Sequence, residues 1–137
     1  MSLFNGLETD VLNALLGSGA SLIGATVEIG LSTTTPNDDG TGITEPSGGG
    51  YARVSKSNND ANWPVSTGNE KSNGTAISFP TATADWGSIT HWVLWESGGP
   101  AKIWGVLDDG AGTPTPRTVQ NGDDFSFPIG QLRIQMD

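Results

Sequence analysis

The segment ADWGSITHWVLWESGGPAKIWGVLDDG (84–110) limits the fold more than any other stretch. Successive side chains of an extended chain point to opposite faces. Ile89, His91, Val93 and Trp95 then fall on one side, and Thr90, Trp92 and Leu94 on the other. Both sides carry bulk, whereas a half-solvated antiparallel strand would alternate bulk with polar groups. The segment is therefore expected to be central in a sandwich or to cover a subunit contact. ESGG before Pro100 reads as a hairpin-type connection to AKIWGVL (101–107), where Ile103 and Gly105 alternate against Trp104 and Val106.

Other short runs repeat this period of two. TVEIGLS (26–32) sets Val27, Ile29 and Leu31 against Glu28 and Gly30, and YARV (51–54) is extended. AISF (76–79) is closed by Pro80, FSF follows the Asp123-Asp124 turn, and QLRIQMD alternates Leu132, Ile134 and Met136 with Arg133 and Gln135. Twenty glycines and eight prolines supply turns between them, and five tryptophans in a chain only 34% hydrophobic imply a thin core built on large rings. About seven or eight short strands are expected. The fold class is all-β, a single antiparallel β-sandwich or jelly-roll-like domain over residues 26–137, with no fixed-period repeat and no heptads. A chain of 137 residues is long enough to bury a self-sufficient core.

Two segments stand outside that pattern. Residues 1–25 read as a short amphipathic helix and linker: Leu7, Val11, Leu12, Leu15 and Leu16 recur at helical spacing, Asn5 and Glu8 are placed as a capping box, and Gly17 and Gly19 stop the turn. Such a helix is marginal in water alone, so its stripe must dock on the domain or on another subunit, with Leu12, Leu15 and Leu16 as contacts. Residues 33–50, TTTPNDDGTGITEPSGGG, carry Ile43 as their only sizeable apolar side chain. A stretch of that length is more often a contacting arm than a connector. Gly48, Gly49 and Gly50 do not form a phosphate loop, which would end in Gly-Lys-Ser/Thr and open a helix; here the chain runs into Tyr51 and a strand. The expectation is an arm that lies across a neighbouring subunit and orders on assembly, its base fixed by Tyr51 and Arg53.

A net charge of −9 opposes association with nucleic acid or an anionic membrane face. No apolar run approaches a membrane span, and the N-terminus lacks the pattern of a signal peptide. The absence of cysteine removes disulfides, thiol catalysis and cysteine-based metal sites. His91, the single histidine, lies inside a strand with no Gly-x-Ser-x-Gly elbow in the chain, so it reads as a packed residue. Asp38-Asp39, Asp108-Asp109 and Asp123-Asp124 lack the alternation of a calcium loop and read as turn formers. No catalytic residue, metal site or cofactor is expected. Trp92 and Trp95 lie on opposite faces and cannot form one stacking platform; Trp63, beside Pro64 in a polar loop, is the expected exposed contact ring.

Taken together, LSTTTPNDDGTGITEPSGGGYARV, SFPTATADWGSITHWVLWE and TVQNGDDFSFPIGQLRIQMD resemble a family of small proteins of tailed bacteriophages and prophages, described as phage tail fibre or minor structural proteins. The Gly48-Gly49-Gly50-Tyr51-Ala52-Arg53 and Asp85-Trp86-Gly87-Ser88-Ile89-Thr90-His91 blocks carry it, and FNGLETDVLNALLG resembles the family's leading segment. The resemblance implies a non-enzymatic structural protein of the virion. Its partners would be other phage structural proteins, tail or capsid, and further copies of itself, a trimer being one arrangement. Tail or fibre association is the first reading, capsid decoration the alternative, and a host-glycan-binding module the second alternative.

Overall fold

A computed structural model describes residues 1–17 and 22–136. Along the chain run β1 (Ser2–Leu3), α1 (Asn5–Leu15), β2 (Thr26–Ser32), β3 (Val54–Ser57), β4 (Glu70–Ser72), β5 (Ile77–Ser78), β6 (Gly87–Ile89), β7 (His91–Glu96), β8 (Ala101–Val106), β9 (Arg117–Val119), β10 (Ser126–Phe127) and β11 (Arg133–Gln135). The β7–β8 hairpin forms the middle of a five-stranded antiparallel sheet ordered β1-β8-β7-β2-β3. Three two-stranded ladders, β10-β5, β11-β4 and β6-β9, make up the rest of an all-β, sandwich-like fold.

Bulk on both faces of β7 is explained by cover on both faces of the sheet. Val27, Ile29, Leu31, Trp92, Leu94 and Ile103 face the main core, where Phe79, Phe125 and Phe127 pack edge to face. On the reverse, Val93 and Trp95 pack with Phe4, with Ile43, Ala101 and Trp104 around them. Ile89 does not share the His91 side, as unbroken alternation predicts. It ends β6, Thr90 breaks the strand by donating its amide to the Ser32 carbonyl, and Ile89 joins the main core.

Large rings on both faces leave little room for neighbouring strands, and glycine supplies it. A Cβ on Gly105, directly opposite Trp92, would lie 2.5 Å from the indole Cζ2. On the reverse face, a Cβ on Gly30 would meet Trp95, the Tyr51 hydroxyl and Glu45 Oε1, each at 2.8 Å.

Asn73, fully buried, joins the small ladders. Its Nδ2 donates to the carbonyls of Thr75 (2.9 Å), Pro128 (3.0 Å) and Phe127 (3.3 Å), and its Oδ1 accepts the Leu132 amide at 2.9 Å. One side chain thus connects the exit of β4, the end of β10 and the approach to β11.

The N-terminal helix forms where expected, but its cap differs. Phe4 is the N-cap, with no side-chain cap hydrogen bond, and the Asn5 amide donates to the Asp38 carbonyl of the 33–50 segment. That backbone contact does the work expected of an Asn5–Glu8 capping box. Gly17 has φ +115° just beyond the helix, while Gly19 lies outside the described residues.

Candidate functional site

The base of the 33–50 segment is the most heavily bonded polar site. β2 pairs with β3 only as far as Ile29 and Val54, so the Leu31 amide lies past the end of that ladder. The Tyr51 hydroxyl takes its place, accepting Leu31 N–H at 2.9 Å and donating to Glu45 Oε1 at 2.7 Å. Arg53 binds the same carboxylate in a fork, Nε to Oε1 at 2.9 Å and Nη2 to Oε2 at 2.6 Å, and its Nη1 lies 3.3 Å from Glu28 Oε2. Its guanidinium stacks 3.6 Å over the Trp95 ring. Bidentate geometry, two carboxylates and an aromatic face are the conditions under which an arginine is well fixed. The Glu45 hydrogen bonds, with its charge and that of Glu28, hold the Arg53 pKa above its ordinary value. Burial, aided by Glu45, pushes the Tyr51 phenol well above its ordinary range against the opposing bond from Leu31.

The glycine run is a tight structure rather than a loose one. Gly48, Gly49 and Gly50 have φ of +72°, +60° and +74°, and the Tyr51 amide donates to the Gly48 carbonyl. Three successive left-handed residues would cost an L side chain about 1–2 kcal/mol each. The Gly49 carbonyl accepts both the Thr83 amide (2.9 Å) and the Trp86 indole N–H (2.8 Å).

Within the single chain the 33–50 segment is folded back onto its own domain. Ser32 Oγ accepts the Thr34 and Thr44 amides, Thr33 N–H donates to the Thr44 carbonyl, and Pro36 and Pro46 are buried. Ile43 is half-buried against the reverse-face cluster. The loose arm expected from composition is thus already bonded, because its small polar residues find backbone partners nearby.

α1 divides its apolar stripe. Leu7 is buried and Val11 packs against the core, while Leu12, Leu15 and Leu16 are 64%, 72% and 82% exposed. The helix is held from its inner side by Lys102, a buried lysine whose Nζ lies 2.9 Å from Asp10 Oδ2 and 3.8 Å from Glu96 Oε2. Sequence reasoning missed Lys102, since one lysine in a strand gives no sign of facing a helix.

Trp63 corrects an expectation. It is 5% exposed and belongs to the main core. Its loop closes over Gly74, where a Cβ would lie 2.5 Å from the Ala61 carbonyl oxygen and 2.7 Å from Pro64 Cδ, and the Gly74 amide bonds the Asn62 carbonyl. Trp63 is therefore no exposed ring. Its indole N–H has no acceptor among the described residues.

The acidic pairs bond their own loops. Asp39 Oδ1 accepts from the Thr41 hydroxyl and amide, Asp109 Oδ1 from the Ala111 and Thr113 amides, and Asp123 Oδ2 from Gln120 N–H. Those bonds lower the pKa of Asp39, the Thr41 hydroxyl foremost, and of Asp109, the Ala111 amide foremost. Among the described residues no three His, Asp or Glu converge as a metal site. His91 packs edge-on against Trp104 with its Nδ1 2.7 Å from the Thr90 hydroxyl, and burial lowers its pKa. Among the described residues no helix is long and apolar enough to cross a membrane.

No curated protein matches the chain. Residues 2–135 match the family model described as podophage GP4 fiber I protein gp80, which spans both the helix and the β domain. A match over nearly the whole length covers the arm base, the glycine turn and the β7–β8 hairpin together. The chain therefore belongs to the podophage GP4 fiber I protein gp80 family, a family of phage fibre structural proteins located in the virion.

Proposed function

We propose that this protein is a non-enzymatic accessory module mounted on the phage fibre through the outer face of α1, as part of a homo-oligomer. One observation carries the reading: Leu12, Leu15 and Leu16 form an exposed apolar stripe on a helix whose inner side is already fixed by Leu7 and the Lys102–Asp10 ion pair. A helix held in place with three leucines in water has an incentive to dock of roughly 1.5–3 kcal/mol per leucine fully covered. Residues 33–50 are assigned the second contact. Glu45, Tyr51 and Arg53 fix their inner side, and Thr35, Asn37, Asp38 and Thr41 face outward toward a neighbouring subunit.

The test is a Leu12→Ser/Leu15→Ser/Leu16→Ser variant supplied to a phage lacking the wild-type protein, with incorporation into particles read by immunogold microscopy. The purified variant is expected to keep the wild-type melting temperature within a few degrees, because these side chains are already solvated. It is also expected to lose its higher-order species in light scattering and to be absent from particles. Wild-type protein should label the tail. Incorporation of the triple variant at wild-type level would refute docking through α1, and wild-type label over the head would replace fibre mounting with capsid decoration.

A further inference from the structure

A cleft of about 480 Å³ lies between the end of β8 and the strands β4, β9, β10 and β11, with Met1 at its edge and no residue of α1 or of the arm base in its lining. That volume is in the range of small-ligand sites, roughly 300–1000 Å³. Two of the chain's three arginines, Arg117 and Arg133, line it. They differ in what they already hold. Arg133 is engaged by the Gly110 carbonyl and lies 3.8 Å from Asp108 Oδ1. Arg117 stacks 4.4 Å over the Phe125 ring and has no hydrogen-bond acceptor or carboxylate among the described residues. Arg53, Lys102 and Arg133 each meet a carboxylate, so Arg117 is the one guanidinium without one among the described residues.

A guanidinium lying flat on a ring keeps its N–H edge free and pre-oriented, the arrangement suited to a planar carboxylate. A second unmet donor sits at the cleft. Trp92 lines it, is 4% exposed, and its indole N–H has no acceptor among the described residues. Gln131, Gln135 and Glu70 complete a lining of amide and carboxylate groups suited to hydroxyls. Glu70 and Asp108 balance the two arginines and Asp108 already meets Arg133, which leaves Arg117 as the one guanidinium to take an anion, too few for a densely charged polyphosphate. A ligand with many hydroxyls and a single carboxylate per unit fits.

We propose that this cleft binds an acidic oligosaccharide, with the sugar carboxylate on Arg117 and hydroxyls on Gln131, Gln135 and Glu70. Nothing in it depends on α1, so the failure of this site and the failure of the attachment reading are separable.

The test is isothermal titration of the full chain with tetragalacturonate, a hyaluronan tetrasaccharide and sialyllactose, with methyl-esterified tetragalacturonate as the neutral control. At least one acidic probe is expected to saturate at millimolar concentration or below, and to weaken about tenfold or more in Arg117→Ala, with Arg117→Lys intermediate. The Trp92 indole N–H resonance should shift on binding in the wild type. Arg117→Ala should melt like the wild type, since its side chain is exposed. Three outcomes would overturn the proposal: no saturable binding of any acidic probe up to about 10 mM, equal binding by Arg117→Ala, or equal binding of the methyl ester and the free acid.

Discussion

Asn73→Ala should be among the most damaging single substitutions in the domain, although it removes no apolar surface. The native side chain gives three carbonyls a donor and the Leu132 amide an acceptor, at 2.9 to 3.3 Å. Thr75 is partly exposed and can turn to water. Pro128 is exposed and its carbonyl can do the same, but Leu132 is fully buried and Phe127 ends β10 in the core, so the Leu132 amide and the Phe127 carbonyl are left stranded. At about 1–3 kcal/mol for each buried group without a partner, two such groups come to about 2–6 kcal/mol. That is a large share of a total stability of about 5–15 kcal/mol. For a domain of this length it corresponds to a fall in Tm of roughly 8–24 °C. Calorimetry alongside urea unfolding would measure it, with the midpoint expected to move and the m value to stay constant. Asn73→Asp separates the two halves of the role. It keeps an acceptor for Leu132 but turns a carboxylate toward three carbonyls, so its folded-state pKa is raised. Its deficit relative to the wild type should therefore shrink as pH falls and the acid becomes a donor. A fall in Tm below about 4 °C for Asn73→Ala would refute the claim that one side chain joins these ladders.

Three further outcomes follow from the packing. Gly105→Ala places a methyl 2.5 Å from Trp92 Cζ2, and about 1–3 kcal/mol of overpacking is expected, together with a changed near-ultraviolet dichroism; an unchanged melt would show that the ring has room to move. Tyr51 is the single tyrosine, so tyrosinate absorbance reports it alone. With its folded pKa raised by burial, the native chain holds a proton that the unfolded chain loses near pH 10, so stability is intact below about pH 10 and declines as pH rises beyond it. The native spectrum should stay flat there until unfolding, and an ordinary titration of the folded protein would contradict the buried hydroxyl. Glu45→Gln removes the carboxylate from the Arg53 fork and is expected to cost about 1–2 kcal/mol in urea unfolding, with faster proteolysis within residues 33–50; a variant as stable and as resistant as the wild type would show that the fork does not hold this segment.

How much of this was legible in the sequence depended on whether the signal was local. The β7–β8 hairpin and β2 were legible because large side chains recur there with a period of two. β4 (Glu70–Ser72) and β9 (Arg117–Val119) were not, since three residues of mixed polarity carry no period. The stripe on α1 was visible, but not its division, which is set by Lys102 far along the chain. Trp63 was misread for the same reason: its sequence neighbours are polar, while its packing neighbours are brought in by the absence of a side chain at Gly74. Of the arm base, Tyr51 and Arg53 could be named, but the carboxylate that joins them, Glu45, lay unmarked in a turn-rich stretch.

The two strand glycines show which non-local facts a sequence does hold. Trp92 and Trp95 emerge on opposite faces of one central strand, and an indole lying flat on a sheet covers the adjoining strand. A neighbouring strand can remain in register only if the position under each ring has no Cβ. Gly105 stands directly opposite Trp92 in β8, and Gly30 in β2 pairs with Val93, diagonal to Trp95. Each glycine interrupts an otherwise strand-forming run, where it weakens the strand by itself. The β7 sequence, with a ring on either face, requires that interruption on both sides, and the rings and the gaps together fix the order β8-β7-β2 and its register.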